Sequence, residues 1–210
     1  METTTITQTI LEAIQAMSLI ELAGAITGVA GVWLAARQSV LTWPVSLVSV
    51  AMYVIVFYDA RLYADMGLNA FYVVTSLYGW YIWLYGGKGH TERKVGHVGK
   101  VEMMVLLLLG AAFTLGLGYF LENYTDADLS YTDSATTAVS LIGYWMMAKK
   151  QIENWIVWLV VDVVYIGVYT YKELYITSVL YFIFLILCVI GWIDWKKSLV
   201  EAKREELAAN

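Results

Sequence analysis

The stretch QIENWIVWLVVD, residues 151–162, decides how this chain is read. It starts polar, enters an apolar run with Trp155 and Trp158 three residues apart, and reaches a carboxylate at Asp162. At about 3.6 residues per turn these three side chains share one helical face, which Tyr165 and Tyr169 continue. An aspartate at the centre of a membrane span costs about 2.5–3.5 kcal/mol on insertion scales, so it must face a polar cavity or a partner. The competing explanation is a structural one, a carboxyl hydrogen-bonded to Tyr or Ser on neighbouring helices.

The rest of the chain supports a membrane setting. Sixty per cent hydrophobic residues, 15% charged residues and a mean hydropathy of +0.65 exclude an ordinary soluble domain. Apolar runs near the length that crosses a bilayer predict seven spans, at 18–37, 43–59, 66–86, 101–121, 133–149, 154–171 and 174–195. The connections are short and leave no room for an extramembrane domain. The net charge of −5 and the lack of a large basic patch argue against a nucleic-acid partner; the partner implied is the lipid bilayer. Cys188 is the single cysteine and lies in an apolar run, so no disulfide is expected. Residues 1–17 have no basic n-region and read as an external segment, not a cleaved signal.

Basic residues orient the spans. One side carries only Arg61 and Lys172. The other carries Arg37, Lys88, Arg93, Lys94, Lys100, Lys149, Lys150, Lys196, Lys197, Lys203 and Arg204. This bias predicts the N-terminus outside and the C-terminus in the cytoplasm. The acidic loop with Glu122, Asp126, Asp128 and Asp133 is then external.

The stretch 151–162 also has a counterpart. Shifting residues 23–83 by 112 lays them on 135–195 without a gap, with 16 identities over 61 positions. Gly31 meets Gly143, Trp33 meets Trp145, Trp43 meets Trp155, and Gly79-Trp80 with Trp83 meets Gly191-Trp192 with Trp195. The fold class expected is all-α and integral to the membrane: seven transmembrane helices, as two parallel three-helix repeats joined by a linker helix (three-one-three). The predicted parts are the external segment 1–17, a first repeat at 18–86, the basic loop, linker helix and acidic loop at 87–132, a second repeat at 133–195, and a cytoplasmic tail at 196–210.

The copies differ where a ligand is expected. Trp158 stands opposite Ser46, Asp162 opposite Val50, Asn154 opposite Thr42, and Tyr181 opposite Asn69. On span three, Asn69, Tyr72, Ser76, Gly79 and Trp80 share a face, and Asn69 offers both a donor and an acceptor. The candidate substrate-binding residues are therefore Asn69, Tyr72, Ser76, Trp80, Gln151, Asn154, Trp155, Trp158, Asp162 and Tyr181. Several have simpler explanations. Asn69 and Ser76 suit interhelical glue, Trp155 and Trp80 suit an interfacial aromatic belt, and Gln151 and Asn154 suit a cap on span six.

No enzyme is expected. His90 and His97 both lie in the basic loop, and there is no HExxH motif, paired cysteine, phosphate-cradling glycine loop or Gly-x-Ser-x-Gly elbow. No metal or cofactor is implied. A retinal protein needs a lysine in the last span, and none lies between Tyr175 and Asp194. A seven-helix sensor without transport is the alternative from another class, and the duplicated unit argues against it.

The Trp-x-x-Trp-x-x-x-Asp run at 155–162, preceded by Glu153-Asn154, resembles the motif of the PnuC vitamin transporters. The Asn69, Tyr72, Ser76, Gly79-Trp80 face and the Trp43-Pro44 opening of span two are similar to that family, and the resemblance covers about 18–197. It implies a bacterial inner-membrane carrier for nicotinamide riboside with a SWEET-like fold. Transport would be facilitated diffusion by alternating access, coupled functionally to a cytoplasmic ribosylnicotinamide kinase that traps the cargo. Relatives carrying thiamine, riboflavin or deoxynucleosides make a thiamine carrier the runner-up. SWEET proteins have a proline in several core helices, whereas Pro44 stands alone here, so their hinge is not expected. A homo-oligomer is compatible with the sequence.

Overall fold

The computed structural model describes residues 19–59, 63–125 and 129–209. The N-terminal segment 1–17, Arg61, Asp126 and Asp128 lie outside the described residues. Seven helices make up the described chain: α1 (Leu19–Ala36), α2 (Thr42–Asp59), α3 (Tyr63–Tyr85), α4 (Lys100–Tyr124), α5 (Ser130–Ala148), α6 (Asn154–Tyr171) and α7 (Tyr175–Ala209). Pro44 stands in the first turn of α2, where its missing N–H has no intrahelical partner to lose.

Among the described residues, Lys100–Tyr124, Asn154–Tyr171 and Tyr175–Glu205 are long and apolar enough to cross a membrane by composition alone. Shorter apolar stretches are Leu22–Ala36 and Thr42–Ala51. α5 is less apolar because it turns hydroxyls inward. Ser134 and Thr136 are buried and donate to the carbonyls of Ser130 and Thr132, at 2.7 and 3.0 Å, so each hydroxyl is satisfied within its own helix. α4 is the opposite case, with Val101, Leu107, Leu108, Leu109 and Leu115 all exposed, as a lipid-facing helix requires.

At the C-terminal end α7 runs unbroken for 35 residues, to Ala209, so the charged stretch after the last span continues the same helix. No glycine or proline interrupts it after Gly191, and Lys197 pairs with Asp194 one turn back at 3.6 Å. The extension touches other parts of the basic end: Gln38 donates to Ser198 Oγ at 2.7 Å, and Lys94 pairs with Glu205 at 3.3 Å.

Contacts recur at the 112-residue shift. α1 and α5 both end in a left-handed residue, Gln38 and Lys150, each at φ 57°. The Gln38 N–H reaches Ala35 O and the Ser39 N–H reaches Leu34 O; the Lys150 and Gln151 N–H groups reach Met147 O and Met146 O, all at 2.9 Å. Both ends are thus closed by the same pair of reversed hydrogen bonds. The indoles repeat as well. Trp43 meets Trp83 edge to face at 5.4 Å and 90°, and Trp155 meets Trp195 at 5.4 Å and 89°. Across the two halves, Trp83 Nε1 donates to Met147 O at 3.1 Å and Trp195 Nε1 to Ala35 O at 3.0 Å. Because 35 and 147 are themselves repeat-related, each half holds the other by the same bond.

These four tryptophans, all at most 2% exposed, form the core together with Ala35, Ala36, Ala148 and Ile152. The core sits at the basic end, where the α1–α2 and α5–α6 turns lie. The basic loop is ordered across it. Gly96 exchanges backbone hydrogen bonds with Lys150 O at 3.0 Å and Ile152 N at 2.9 Å, and Glu153 accepts from the Val98 N–H at 3.1 Å. Lys150, 1% exposed, lies over the Trp83 ring at 4.8 Å and pairs with Glu92 at 2.9 Å. Burial pushes its ammonium below the usual range, against the opposing pull of Glu92.

The core depends on two glycines. A Cβ at Gly79 would stand 2.5 Å from the Trp43 ring, and one at Gly191 would stand 2.5 Å from the Trp155 ring. Gly79→Ala and Gly191→Ala are therefore expected to destabilise the protein by similar amounts, about 1–3 kcal/mol each. Thermal unfolding in detergent measures this, and an unchanged midpoint for either variant would contradict the packing.

Candidate functional site

Moving away from the tryptophan core, the bundle encloses a cavity of about 350 Å³, within the range that takes small molecules. Every helix of the two expected repeats contributes to it. Thr27 and Gly31 come from α1, Ser46 and Ser49 from α2, Asn69 and Tyr72 from α3, Ser140 and Tyr144 from α5, Trp155, Trp158, Asp162 and Tyr165 from α6, and Tyr181, Phe184 and Cys188 from α7. α4 contributes no lining residue.

The shape of the cavity follows from where the copies differ. At the Gly31 position of α1 the small Ser46 packs on the glycine, with its Oγ 3.3 Å from where a Cβ would stand. At Gly143 of α5 the same place is taken by Trp158, whose indole comes within 3.1 Å. The glycine lets either side chain lie against its helix, so one copy leaves space and the other fills it with a ring. Asp162 stands one turn further along α6 and is 3% exposed. Its Oδ2 accepts from the Cys188 thiol at 3.3 Å, and among the described residues it is the one acidic or basic side chain of the lining.

Aromatic rings form the walls. Tyr72 and Tyr144 meet at 4.7 Å, with Tyr144 also edge-on to Trp43 at 6.1 Å. On the other side Tyr165 and Tyr181 meet at 4.7 Å, and Phe184 stands edge-on to Tyr181 at 5.7 Å. Hydroxyls hold these rings: Ser76 Oγ and Tyr144 Oη are 2.7 Å apart across the two halves.

Six of the ten sequence candidates line the cavity: Asn69, Tyr72, Trp155, Trp158, Asp162 and Tyr181. The other four are placed differently. Ser76 is fully buried behind Tyr144 and touches the cavity through that tyrosine. Trp80 packs against the tryptophan core. Gln151 donates to Glu102 at 2.9 Å, in a cluster where Glu102 also accepts from Lys149 at 2.6 Å and Trp145 at 3.1 Å. Asn154 is fully buried and donates to Gln151 O at 2.6 Å, closing the turn that starts α6. Trp155 has a double commitment. Its ring is 2% exposed, packed on Gly191 and Trp195, while its buried Nε1 has no acceptor among the described residues.

Sequence reasoning missed Tyr144, Ser140, Ser46 and Cys188. The signal for Tyr144 lay in the repeat, where its counterpart is Val32, an exchange of the same kind as Val50 for Asp162.

The family model described as nicotinamide mononucleotide transporter matches residues 18–197. The chain is 23% identical over 213 residues to the nicotinamide riboside transporter PnuC of Escherichia coli strain K12, covering 87% of each protein. It is 26% identical to the nicotinamide riboside transporter PnuC of Neisseria mucosa, over 82% of this chain and 70% of that one. It is 25% identical to the riboflavin/roseoflavin transporter RibM of Streptomyces davaonensis, over 83% of each. The crystal structure of the vitamin B3 transporter PnuC superposes with a TM-score of 0.69 over 93% of this chain and 88% of that one, at 22% identity, and so shares its fold.

The Ser76–Tyr144 contact lends itself to a double-mutant cycle. Ser76→Ala removes one partner of a buried hydroxyl and is expected to cost about 1–3 kcal/mol in thermal unfolding. Adding Tyr144→Phe is expected to cost less than the sum of the two single changes. Fully additive losses would show that the two hydroxyls do not interact.

Proposed function

The chain belongs to the nicotinamide mononucleotide transporter family, and from that premise we propose that it carries nicotinamide riboside across the bacterial inner membrane by facilitated diffusion. It is a multi-pass bacterial membrane protein. The observation that carries the proposal is the composition of the cavity: aromatic walls, flanking hydroxyls and, among the described residues, one carboxylate and no basic side chain in the lining. Nicotinamide riboside has a fixed pyridinium charge, a planar ring, a carboxamide and ribose hydroxyls. An indole face attracts such a cation, and Asp162 offsets its charge. Trp158, less tied to the core than Trp155, is the stacking ring; Trp155 offers its Nε1–H beside it. Asn69 reads the carboxamide, and Ser46, Ser49 and Tyr72 are placed for the ribose. A flavin ring is neutral and has no need of Asp162, which favours the cationic cargo over that of the riboflavin-carrying relative.

The transport cycle follows from the frame. The two three-helix units rock about the cavity, opening it to one side at a time, in the parallel-repeat manner. The positive-inside bias places the basic end, and with it the tryptophan core and the C-terminus, in the cytoplasm. In this conformation the core closes the cytoplasmic side. A cytoplasmic ribosylnicotinamide kinase then traps the cargo by phosphorylation.

Two measurements test this reading. Trp158→Ala is expected to weaken nicotinamide riboside binding by about 10–100-fold in calorimetry, the loss of one stacking ring. Asp162→Asn is expected to weaken it at least about tenfold, the loss of one charge interaction. Unchanged affinity in both variants would remove the site assignment. In proteoliposomes labelled nicotinamide riboside is expected to fill the lumen, whereas a sensor would bind it without filling.

A further inference from the structure

We propose that the basic end carries a binding site for an anionic phospholipid of the cytoplasmic leaflet, its phosphodiester headgroup held between the basic loop and the polar extension of α7. This site is independent of which cargo the central cavity takes, and its sidedness is that of the positive-inside bias. A separate cavity of about 1030 Å³ lies at this end. The loop from Gly87 to His97 walls one side, α7 from Trp192 to Glu205 walls the other, and Val95, Ile152 and Leu199 give it an apolar floor. Six basic side chains line it, Lys88, Arg93, Lys94, His97, Lys196 and Lys203, against two carboxylates, Glu92 and Glu205. Both carboxylates are engaged, Glu92 by Lys150 at 2.9 Å and Glu205 by Lys94 at 3.3 Å, and His97 rests on Glu153 at 2.7 Å. Among the described residues, Lys88, Arg93, Lys196 and Lys203 have no carboxylate partner. Like charges gathered in one cavity repel, and an anion seated between them relieves the repulsion.

The course of α7 identifies the anion. Phe182, Ile186, Val189 and Ile193 are 55, 45, 42 and 46% exposed and recur at alternating steps of four and three residues, which keeps them on one face. The same steps continue to Lys196, Val200 and Lys203. One stripe therefore runs from the lipid-facing apolar side chains straight to two lysines of the cavity. From Tyr175 to Lys196 the helix rises about 30 Å, the thickness of the hydrocarbon core, which sets Lys196 at headgroup depth. An acyl chain fits along Phe182–Ile193, with its phosphate at Lys196 and Lys203 and with Lys88 and Arg93 closing from the loop. Ammonium and guanidinium donors suit phosphate oxygens, and basic cavities on the cytoplasmic side attract anionic lipid. A second copy on this stripe would set lysine against lysine, and a soluble phosphate would leave the apolar part of the stripe unused. The headgroup also joins parts that meet at the tryptophan core. The loop is held to the first half by the Arg93 N–H on Trp83 O at 3.1 Å, and to the second by Gly96 on Lys150 O and Ile152 N. A lipid between loop and α7 adds one more tie across that closed end.

Equilibrium binding of tritium-labelled short-chain phosphatidylglycerol to the full chain in neutral detergent tests this. Saturable binding is expected, displaced by unlabelled phosphatidylglycerol and not by phosphatidylcholine. One lysine near an anionic headgroup is worth about fivefold in affinity, so Lys196→Gln together with Lys203→Gln is expected to weaken binding about 30-fold. Lys88→Gln, on the loop side, is expected to weaken it about fivefold by itself. Lys197→Gln together with Arg204→Gln removes the same charge from the same helix outside the cavity lining, and is expected to leave the affinity unchanged. Thermal unfolding checks that each variant is folded. Equal losses in the two double variants would reduce the effect to net charge and overturn the site, as would the lack of saturable binding. Displacement by glycerol phosphate as readily as by the lipid would assign the cavity to a soluble phosphate and overturn the lipid. Uptake of nicotinamide riboside is a separate readout, and its failure would leave the lipid site standing.

Discussion

Two tryptophans seated on two glycines hold this molecule together. Trp43 on Gly79 and Trp155 on Gly191 bring the second and third helices of each half into van der Waals contact at the basic end. The rings Trp83 and Trp195 then reach across to carbonyls of the opposite half. An indole suits the crossing role of Trp83 and Trp195 because it supplies a large apolar face and one donor, which each gives to a last-turn carbonyl of α1 or α5, Ala35 O or Met147 O. The turns that follow α1 and α5 are fixed by the same bonds, which is why Gln38 and Lys150 share a left-handed conformation although neither is glycine.

Such a frame fixes one end and leaves the middle of the bundle free to differ between the halves. Ser46 and Trp158 fill equivalent places on equivalent glycines, and Val50 and Asp162 follow one turn later. The duplicated frame positions these side chains, and the differences between them give the cavity its polarity. A site built this way is lopsided: the aromatic and acidic groups come mostly from α6 and α7, the small hydroxyls from α1 and α2. A ligand with a cationic ring at one end and hydroxyls at the other matches that division.

Most of the helical frame was legible in the sequence, because apolar length and a tryptophan-marked repeat are strong signals that survive without coordinates. The site was legible in part. Trp158 and Asp162 stood out as departures from the repeat, and both line the cavity. Ser76 and Trp80 shared a face with Asn69 and Tyr72, but depth along the helix, not face, decides what reaches the cavity: Ser76 lies behind Tyr144 and Trp80 lies in the core layer. Gln151 and Asn154 belong to the turn geometry that starts α6. The ordered basic loop was not legible, since its pairing with Lys150 and Ile152 uses backbone atoms and leaves no side-chain pattern. Nor were the anchors of α7's polar extension, which is supported by contacts to Gln38 and Lys94 from distant parts of the chain.

Cys188 gives direct access to the central claim, that the cargo occupies the cavity around Asp162. It is the only cysteine of the chain, it lines the cavity, and its thiol touches Asp162. The measurement is the rate of Cys188 modification by a small methanethiosulfonate reagent as nicotinamide riboside is raised. The expected result is progressive protection, half complete at the concentration that half-saturates binding. A saturating ligand that leaves the modification rate unchanged would place the cargo elsewhere and contradict the assignment.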